Sequence, residues 1–160
     1  MVGSILIPLD GSLLAEQVLP HVKAIVECRG ARVHLLSVAP VIDNTTASLM
    51  LYPLYVSREQ LADEEAERKR IEAELDHYLH GIARDLEQAG AQTICVVRFG
   101  SPADEILTYA AENKIELIAM CTHGRSGLAR WAYGSVADRV LRASSCPVFL
   151  VRSKIVKQGG

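Results

Sequence analysis

Short apolar runs alternate with longer amphipathic segments along this chain. Five short runs rich in Val, Ile and Leu predict β-strands at residues 4–9, 32–38, 93–98, 117–122 and 147–151. The middle runs are almost continuously apolar, which is typical of strands that are covered on both faces. The pattern therefore predicts a sheet that is buried on both faces rather than one with a solvent-exposed face.

Two amphipathic segments with start or stop signals separate the first three strands. One predicted helix begins after Ser12, which can act as its N-cap, but Pro20 falls inside it and should kink it or remove one backbone hydrogen bond. A long helix is predicted from about Glu59 to Gln88, with Gly90 as its stop. Its apolar stripe consists of Ile71, Leu75, Tyr78, Leu79, Ile82 and Leu86.

Two further helices are predicted between the last three strands. Ser101 is the expected N-cap of one of them, and Pro102 occupies its first helical position. The other covers residues 135–143, and three of its residues should face the core: Val136, Val140 and Leu141. Because strands that alternate with helices pair in parallel through right-handed crossovers, we predict a doubly wound α/β fold.

Length and composition fit one packed domain. The chain has 160 residues, 49% apolar and 5% aromatic, and a chain of this length buries roughly 70% of its unfolded surface. We expect a single domain over residues 1–160, with its core at about 3–153 and a short tail at 154–160. No apolar run approaches the length of a membrane span and no basic segment precedes the first apolar stretch, so we expect a cytoplasmic protein without membrane contact.

Cysteines and charge narrow the classes of ligand. The four cysteines form no closely spaced pair, so we expect reduced structural thiols rather than a metal site. A pI near 6.2 argues against a nucleic-acid partner. Residues 117–160 nevertheless carry seven Lys or Arg against one Asp. This last part of the chain is where an anion would bind, unless the cations simply form a solvated helix face.

Ligands of open parallel sheets bind at the carboxyl ends of the strands. Asp10 is the one carboxylate at the ends of the first, second and fourth strands, where it suits recognition of hydroxyl or amino groups; alternatively it only forms a turn before Gly11. Residues 123–134 are rich in glycine, contain Arg125 and Arg130, and precede a helix start at Ser135. These features indicate a phosphate site that is neither a Walker A loop nor a GxGxxG motif.

Other candidate residues fit structural roles better than chemical ones. His123 has no identifiable nucleophile with a supporting acid beside it, so loop packing or a phosphate contact is favoured over catalysis. His77 and His80 lie three residues apart on the long helix without a third ligand nearby, which favours a solvated helix face over a metal pair. The long connection at residues 39–58 either covers the pocket or packs across a dimer.

Three segments of the sequence resemble universal stress proteins. They are ILIPLDGS at residues 5–12, GSPADEIL at residues 100–107, and the stretch at residues 120–152 that begins MCTHGRSGLARWAYGS. The resemblance covers about residues 3–153. It implies an open five-stranded parallel sheet of order 3-2-1-4-5 with helices on both faces, the adenine nucleotide alpha hydrolase-like fold. It also implies a homodimer that pairs through the last strand, about Pro147 to Val151.

The nucleotide-binding branch of this family has a motif of Gly, two residues, Gly, nine residues, Gly, then Ser or Thr. Matched to this chain, the last three motif positions fall on Gly124, Gly134 and Ser135, and the first glycine falls on Cys121. The resemblance thus implies an adenine and ribose contact at Asp10, an adenine contact at the Val38 backbone, and a phosphate cradle in the final segment. The implied nucleotide-binding residues are Pro8, Leu9, Asp10, Val38, Met120, Cys121, His123, Gly124, Arg125, Ser126, Gly127, Gly134, Ser135 and Val136.

Cys121 separates the functional hypotheses. A cysteine in place of the motif glycine either crowds the nucleotide or requires a backbone with positive φ to adapt. The first hypothesis is a stress-response regulator that binds ATP with Mg²⁺ and hydrolyses it at most slowly, since no general base is evident. The alternative is a family member that binds no nucleotide and acts as a dimeric interaction protein. An adenylating enzyme of the same fold is less favoured, because its Ser-Gly-Gly-x-Asp-Ser loop is replaced by Pro-Leu-Asp-Gly-Ser.

Overall fold

A parallel five-stranded sheet forms the centre of the molecule. The computed structural model describes residues 3–41, 58–122 and 134–152. Within them the strands are β1 (Ser4–Pro8), β2 (Arg32–Ala39), β3 (Gln92–Phe99), β4 (Leu117–Thr122) and β5 (Val148–Arg152). Neighbouring strands are parallel, and their order is β3-β2-β1-β4-β5. The expected fold class and strand order are confirmed, and each strand lies within one residue of its predicted bounds.

Helices connect these strands. They are α1 (Leu19–Arg29), α2 (Arg58–Gln88), α3 (Pro102–Glu112) and α4 (Ser135–Ala143). The bounds predicted for α2 and α4 agree with the structure to one residue. In the part of the chain that the structure describes, no helix combines the length and the apolar character that crossing a membrane requires.

The prediction of one helix running from Ser12 is wrong. The structure has a short 3-10 helix, Ala15–Val18, followed by α1, which begins at Leu19. Pro20 lies in the first turn of α1, where a backbone N–H would have no partner within the helix. The chain thus avoids the cost of an internal proline by starting a new helix there. The Ser12 hydroxyl still caps the segment, because it accepts the Ala15 N–H at 3.1 Å.

Two predictions about helix ends and faces need adjustment. Ser101 occupies the N-cap position of α3, but its side chain makes no capping hydrogen bond, and its carbonyl instead accepts the Glu105 N–H at 2.9 Å. In α4 the buried residues are Ala137 and Val140. Leu141, which was expected to face the core, is 41% exposed. It lies one helical step of about 100° beyond Val140, which carries it off the buried face.

Each face of the sheet has its own apolar core. Helices α1 and α2 cover one face, and Val22, Leu79 and their neighbours pack there against Ile5, Ile7, Val33 and Leu35. Helices α3 and α4 cover the other face, and Ile106, Tyr109 and Val140 pack there against Leu6, Leu36 and Ile118. Successive residues of β1 therefore alternate between two buried cores, which explains its continuous apolar run.

Candidate functional site

A cavity of about 260 Å³ lies at the carboxyl ends of β1, β2 and β4. Nine residues implicated by the sequence line it: Pro8, Leu9, Asp10, Val38, Met120, Cys121, Gly134, Ser135 and Val136. Five other candidates, His123, Gly124, Arg125, Ser126 and Gly127, lie outside the described residues, as does most of the 39–58 connection. All the candidates whose position is described therefore meet at one place.

The turn after β1 brings Asp10 to the cavity edge. Ser37 donates a buried side-chain hydrogen bond to the Leu9 carbonyl at 2.8 Å, which fixes the chain just before the turn. The Asp10 Oδ1 atom accepts from the Ser12 N–H at 3.0 Å and from the Ser12 hydroxyl at 2.6 Å. Gly11 has φ +81°, a conformation that favours glycine. Asp10 thus forms the turn and also lines the cavity, so the two interpretations of this residue are compatible.

The described wall of the cavity is mostly apolar. Its apolar lining includes Val38 and Met120 from two strands, Val136 from one helix, and Leu9, the residue after β1. Asp10 is the one charged residue among the described lining residues. An apolar slot with a single carboxylate at its edge suits a flat, mainly apolar ring that carries hydroxyl or amino groups.

The amino end of α4 forms another part of the wall. Gly134 is the N-cap, and its carbonyl accepts the Asp138 N–H at 2.9 Å. Ser135 and Val136 follow in the first turn and also line the cavity. Because the N–H groups of a first helical turn lack partners within the helix and lie at the positive end of its dipole, this wall favours an anionic group.

Cys121 closes the cavity from the end of β4. Its half-buried side chain packs against the apolar core under α1, and burial raises the pKa of its thiol, while a hydrogen bond with the Val18 backbone lowers it. In the described segments Lys114 is the one residue other than glycine with positive φ. The expectation of a backbone strained at Cys121 is therefore wrong, because a cysteine fits this conformation. Crowding of a ligand by the thiol is the alternative that a binding measurement decides.

Six lining residues were missed by the sequence interpretation. They are Leu14, Ala15, Leu36, Pro102, Ile106 and Ala137. Two of them belong to α3, which starts at the same edge of the sheet as the cavity. The Ser-Pro start of that helix was a signal of its position, since a helix that follows a parallel strand begins at the carboxyl end of the sheet.

The two histidines of α2 and two arginines of the basic final part lie on the surface of the helices. His77 and His80 are exposed on α2, and the His80 Nδ1 lies 3.2 Å from an Asp76 carboxylate oxygen. No group of three His, Cys, Asp or Glu residues that could hold a metal ion occurs in the described ranges. Two cations of the basic final part, Arg139 and Arg142, form ion pairs on the helix surface with Asp104 and Asp138 respectively.

Comparisons of the sequence with known proteins point to one protein family. The model of the universal stress protein family matches residues 1–152. This chain belongs to the universal stress protein family. Universal stress protein YxiE of Bacillus subtilis is 31% identical over 95% of this chain and 100% of its own length. Universal stress protein MJ0577 of Methanocaldococcus jannaschii is 29% identical over 96% of this chain and 97% of its own length.

Solved structures of universal stress proteins share the fold. The structure of MJ0577 superposes with a TM-score of 0.76 at 28% identity and covers 96% of this chain and 98% of its own. A universal stress protein in complex with cAMP gives 0.62 at 18% identity, covering 96% and 98%. A family member from Arabidopsis thaliana with AMP bound gives 0.61 at 15% identity, covering 99% and 97%. The fold is that of the adenine nucleotide alpha hydrolase-like proteins.

Proposed function

We propose that this universal stress protein binds an adenine nucleotide, ATP in the first place, at the carboxyl ends of β1, β2 and β4, with little or no turnover. The observation that carries the proposal is the cavity. Nine residues that the family resemblance implies, from four separate parts of the chain, line this one cavity. Family members whose structures contain AMP or cAMP support the choice of an adenine nucleotide.

We assign each part of the nucleotide to the part of the cavity wall whose chemistry suits it. The adenine ring lies against the apolar wall near Val38, and the ribose hydroxyls meet the Asp10 carboxylate. The phosphates lie at the amino end of α4, beside Ser135. Magnesium, when it accompanies ATP, is held mainly by phosphate oxygens, as is usual for Mg²⁺ with few protein carboxylates.

A regulatory role fits this site better than catalysis. Asp10 is the one carboxylate among the described lining residues, and in this proposal its free oxygen binds the ribose hydroxyls and not the attacking water. A general base needs a free oxygen within reach of the attacking water. Nucleotide binding would then act by stabilising one conformation of the protein.

The proposal extends to a homodimer formed through β5. This strand lies at one edge of the sheet and pairs with β4 on one side. An unpaired edge offers backbone N–H and C=O groups to another strand.

Four free cysteines also fit a reducing compartment, and we propose the cytoplasm.

The first experiment measures the melting temperature with increasing Mg-ATP, AMP or cAMP. A ligand at one hundred times its Kd stabilises the native state by about 2.7 kcal/mol, which corresponds to roughly 5–10 °C for a chain of this size. Val38→Phe should abolish the shift by filling the cavity. Val41→Phe is the matched control, because Val41 is exposed and outside the described lining.

Mass analysis of the purified protein complements the titration, because a co-purified adenine nucleotide would identify the natural ligand directly. The expected result is a shift in the parent protein and in Val41→Phe, and none in Val38→Phe. No shift at millimolar concentrations of any of the three nucleotides would contradict the proposal and favour the alternative, an interaction protein that does not bind nucleotide.

A further inference from the structure

A hydrogen bond outside the cavity joins α2 to the segment that follows the Asp10 turn. The Tyr78 hydroxyl donates to the Glu16 Oε1 atom at 2.9 Å. Tyr78 lies on α2 and Glu16 in the 3-10 helix, 62 residues apart in sequence. The sequence pattern marks Tyr78 only as a member of an apolar stripe, and packing against the core under α1 and α2 does not require its hydroxyl.

Glu16 is connected to Asp10 by a short path of hydrogen bonds. The Glu16 N–H donates to the Ser12 carbonyl at 3.2 Å, and the adjacent Ala15 N–H donates to the Ser12 hydroxyl at 3.1 Å. The same hydroxyl donates to the Asp10 Oδ1 at 2.6 Å. Movement of Glu16 therefore reaches the Asp10 carboxylate through one intervening residue.

The Tyr78 hydroxyl also faces the turn itself. Burial raises the pKa of Tyr78 most, followed by the hydrogen bond to Glu16 and the negative charges of Glu16 and Asp10. A hydrogen bond with the Gly11 backbone acts in the opposite direction on the same pKa. The phenol thus stays protonated at physiological pH and donates its hydrogen to Glu16, at the end of the segment that begins at Gly11.

We propose that Tyr78 is a positioning residue for the nucleotide site: its hydroxyl holds Glu16 and, through Ser12, keeps the Asp10 carboxylate where it meets ribose hydroxyls. The inference rests on the proposed function and deepens it. It makes Tyr78 a determinant of the preference for ribonucleotides over 2′-deoxyribonucleotides, because Asp10 discriminates between them only when its orientation is fixed.

The test compares the Kd values of Mg-ATP and Mg-2′-deoxyATP by calorimetric titration. Tyr78→Phe keeps the ring and removes the hydroxyl. We expect its Kd for ATP to rise roughly three- to tenfold, the size of one ordinary hydrogen bond, while its Kd for 2′-deoxyATP changes little. The ratio of the Kd for 2′-deoxyATP to the Kd for ATP should therefore fall towards one. Glu16→Gln retains an acceptor for the phenol and should keep the ratio of the parent protein.

Tyr109→Phe is the matched control. It also removes a buried phenolic hydroxyl, one that hydrogen bonds to His34 at 2.8 Å, but it does so on the other face of the sheet and outside the cavity lining. We expect a lower melting temperature with both Kd values unchanged. A drop in the ratio for Tyr109→Phe equal to that for Tyr78→Phe would show a general effect of destabilisation and overturn the inference.

A second measurement needs no ligand. Hydrogen exchange at the Ser12 amide, which donates to the Asp10 Oδ1 atom, should be faster in free Tyr78→Phe than in the free parent protein, and unchanged in Tyr109→Phe. Unchanged exchange at the Ser12 amide, or an unchanged ratio of Kd values in Tyr78→Phe when the parent protein binds ATP, overturns the role of Tyr78 alone. Absence of nucleotide binding by the parent protein overturns the proposed function, and the preference for ribose with it.

Discussion

Cys121 stands at a position where a glycine is expected, and its surroundings explain how a side chain fits there. The thiol is half-buried and packs beside the core under α1, and a hydrogen bond with the Val18 backbone reaches it. Its backbone has no positive φ, so glycine has no conformational advantage at this point of β4. The side chain closes a gap between β4 and the first helical segments as well as lining the cavity.

Replacing this thiol should therefore affect stability more than binding. We expect Cys121→Gly to lower the free energy of unfolding by about 1–2 kcal/mol, because it removes packing and adds chain entropy in a strand. Its Kd for ATP should stay within roughly threefold of the parent value. Chemical denaturation and calorimetric titration measure the two quantities.

Cys121→Ala is the control that separates packing from backbone freedom. It should lose less stability than the glycine variant and show the same Kd. A tenfold tightening of ATP binding in both variants would contradict this prediction and show that the thiol crowds the nucleotide.

Residue identity predicts position well where the side chain lines the cavity, and poorly where it contacts another helix or strand. Asp10 was a candidate because it is a lone carboxylate at a strand end, and it lines the cavity. The role of Tyr78 was not predictable, since the spacing of an apolar stripe indicates burial of the ring but not the partner of its hydroxyl. That partner, Glu16, lies in a segment whose 3-10 geometry the sequence did not reveal.

Elements of this fold were predictable where local signals and burial agree. The strand β4 has continuous apolar character and its bounds were predicted correctly, and Gly90, with φ +97°, follows the end of α2. Pro20 marks the point where they disagree. The apolar periodicity continues across Pro20 and predicts one helix, whereas the absence of an N–H at Pro20 favours a new helix start. Only the contacts of Val18 and Val22 with the core decide between these two arrangements.

A buried hydrogen bond joins β2 to α3. His34 is 5% exposed, and its Nδ1 lies 2.8 Å from the Tyr109 hydroxyl. Burial, followed by the positive charge of Arg32, lowers the pKa of His34 from its ordinary value of 6.5. The unfolded chain therefore binds this proton more readily than the folded protein, and this contribution to stability is lost as the pH falls below about 6.5.

The buried contact between His34 and Tyr109 should give the free energy of unfolding a measurable pH dependence. In His34→Asn, the free energy of unfolding should be lower at pH 8 because the packing and the hydrogen bond are lost, and its decrease between pH 7 and pH 5 should be smaller than in the parent protein. Urea denaturation at several pH values measures both effects.

His77→Asn is the control, because His77 is exposed on α2. Its stability should follow the pH profile of the parent protein. An identical slope between pH 7 and pH 5 in the parent protein and in His34→Asn would mean that other groups dominate acid destabilisation, and would contradict the prediction.

At the scale of the whole molecule, the sheet has two different edges. One edge is β3 and the other is β5, because the order is β3-β2-β1-β4-β5. Ile94 on β3 and Phe149 on β5 are similarly exposed, at 39% and 37%. Alternating strands and helices predicted the parallel sheet from physics alone, but the strand order and the choice of a dimer edge came only from the resemblance to a family.

The proposed dimer can be tested at the β5 edge of the sheet. Phe149→Lys places a charge on β5, and in a symmetric pair the two copies of that charge lie on the same interface. We expect the dimer dissociation constant to rise at least about tenfold, with a melting temperature close to that of the parent protein because Phe149 is partly exposed. Light scattering coupled to size-exclusion chromatography, over a range of concentrations, measures the change.

Ile94→Lys makes the comparison decisive, because it puts the same charge at a residue of nearly equal exposure on the opposite edge strand. A dimer that pairs through β5 should tolerate the change at Ile94 and dissociate with the change at Phe149. Dissociation by Ile94→Lys alone would move the interface to β3, and a monomeric parent protein at tens of micromolar would contradict the dimer. If the conformation that the nucleotide stabilises is that of the dimer, ATP binds the dimer more tightly than the monomer, and adding ATP should lower the dissociation constant of the parent protein and of Ile94→Lys to the same extent.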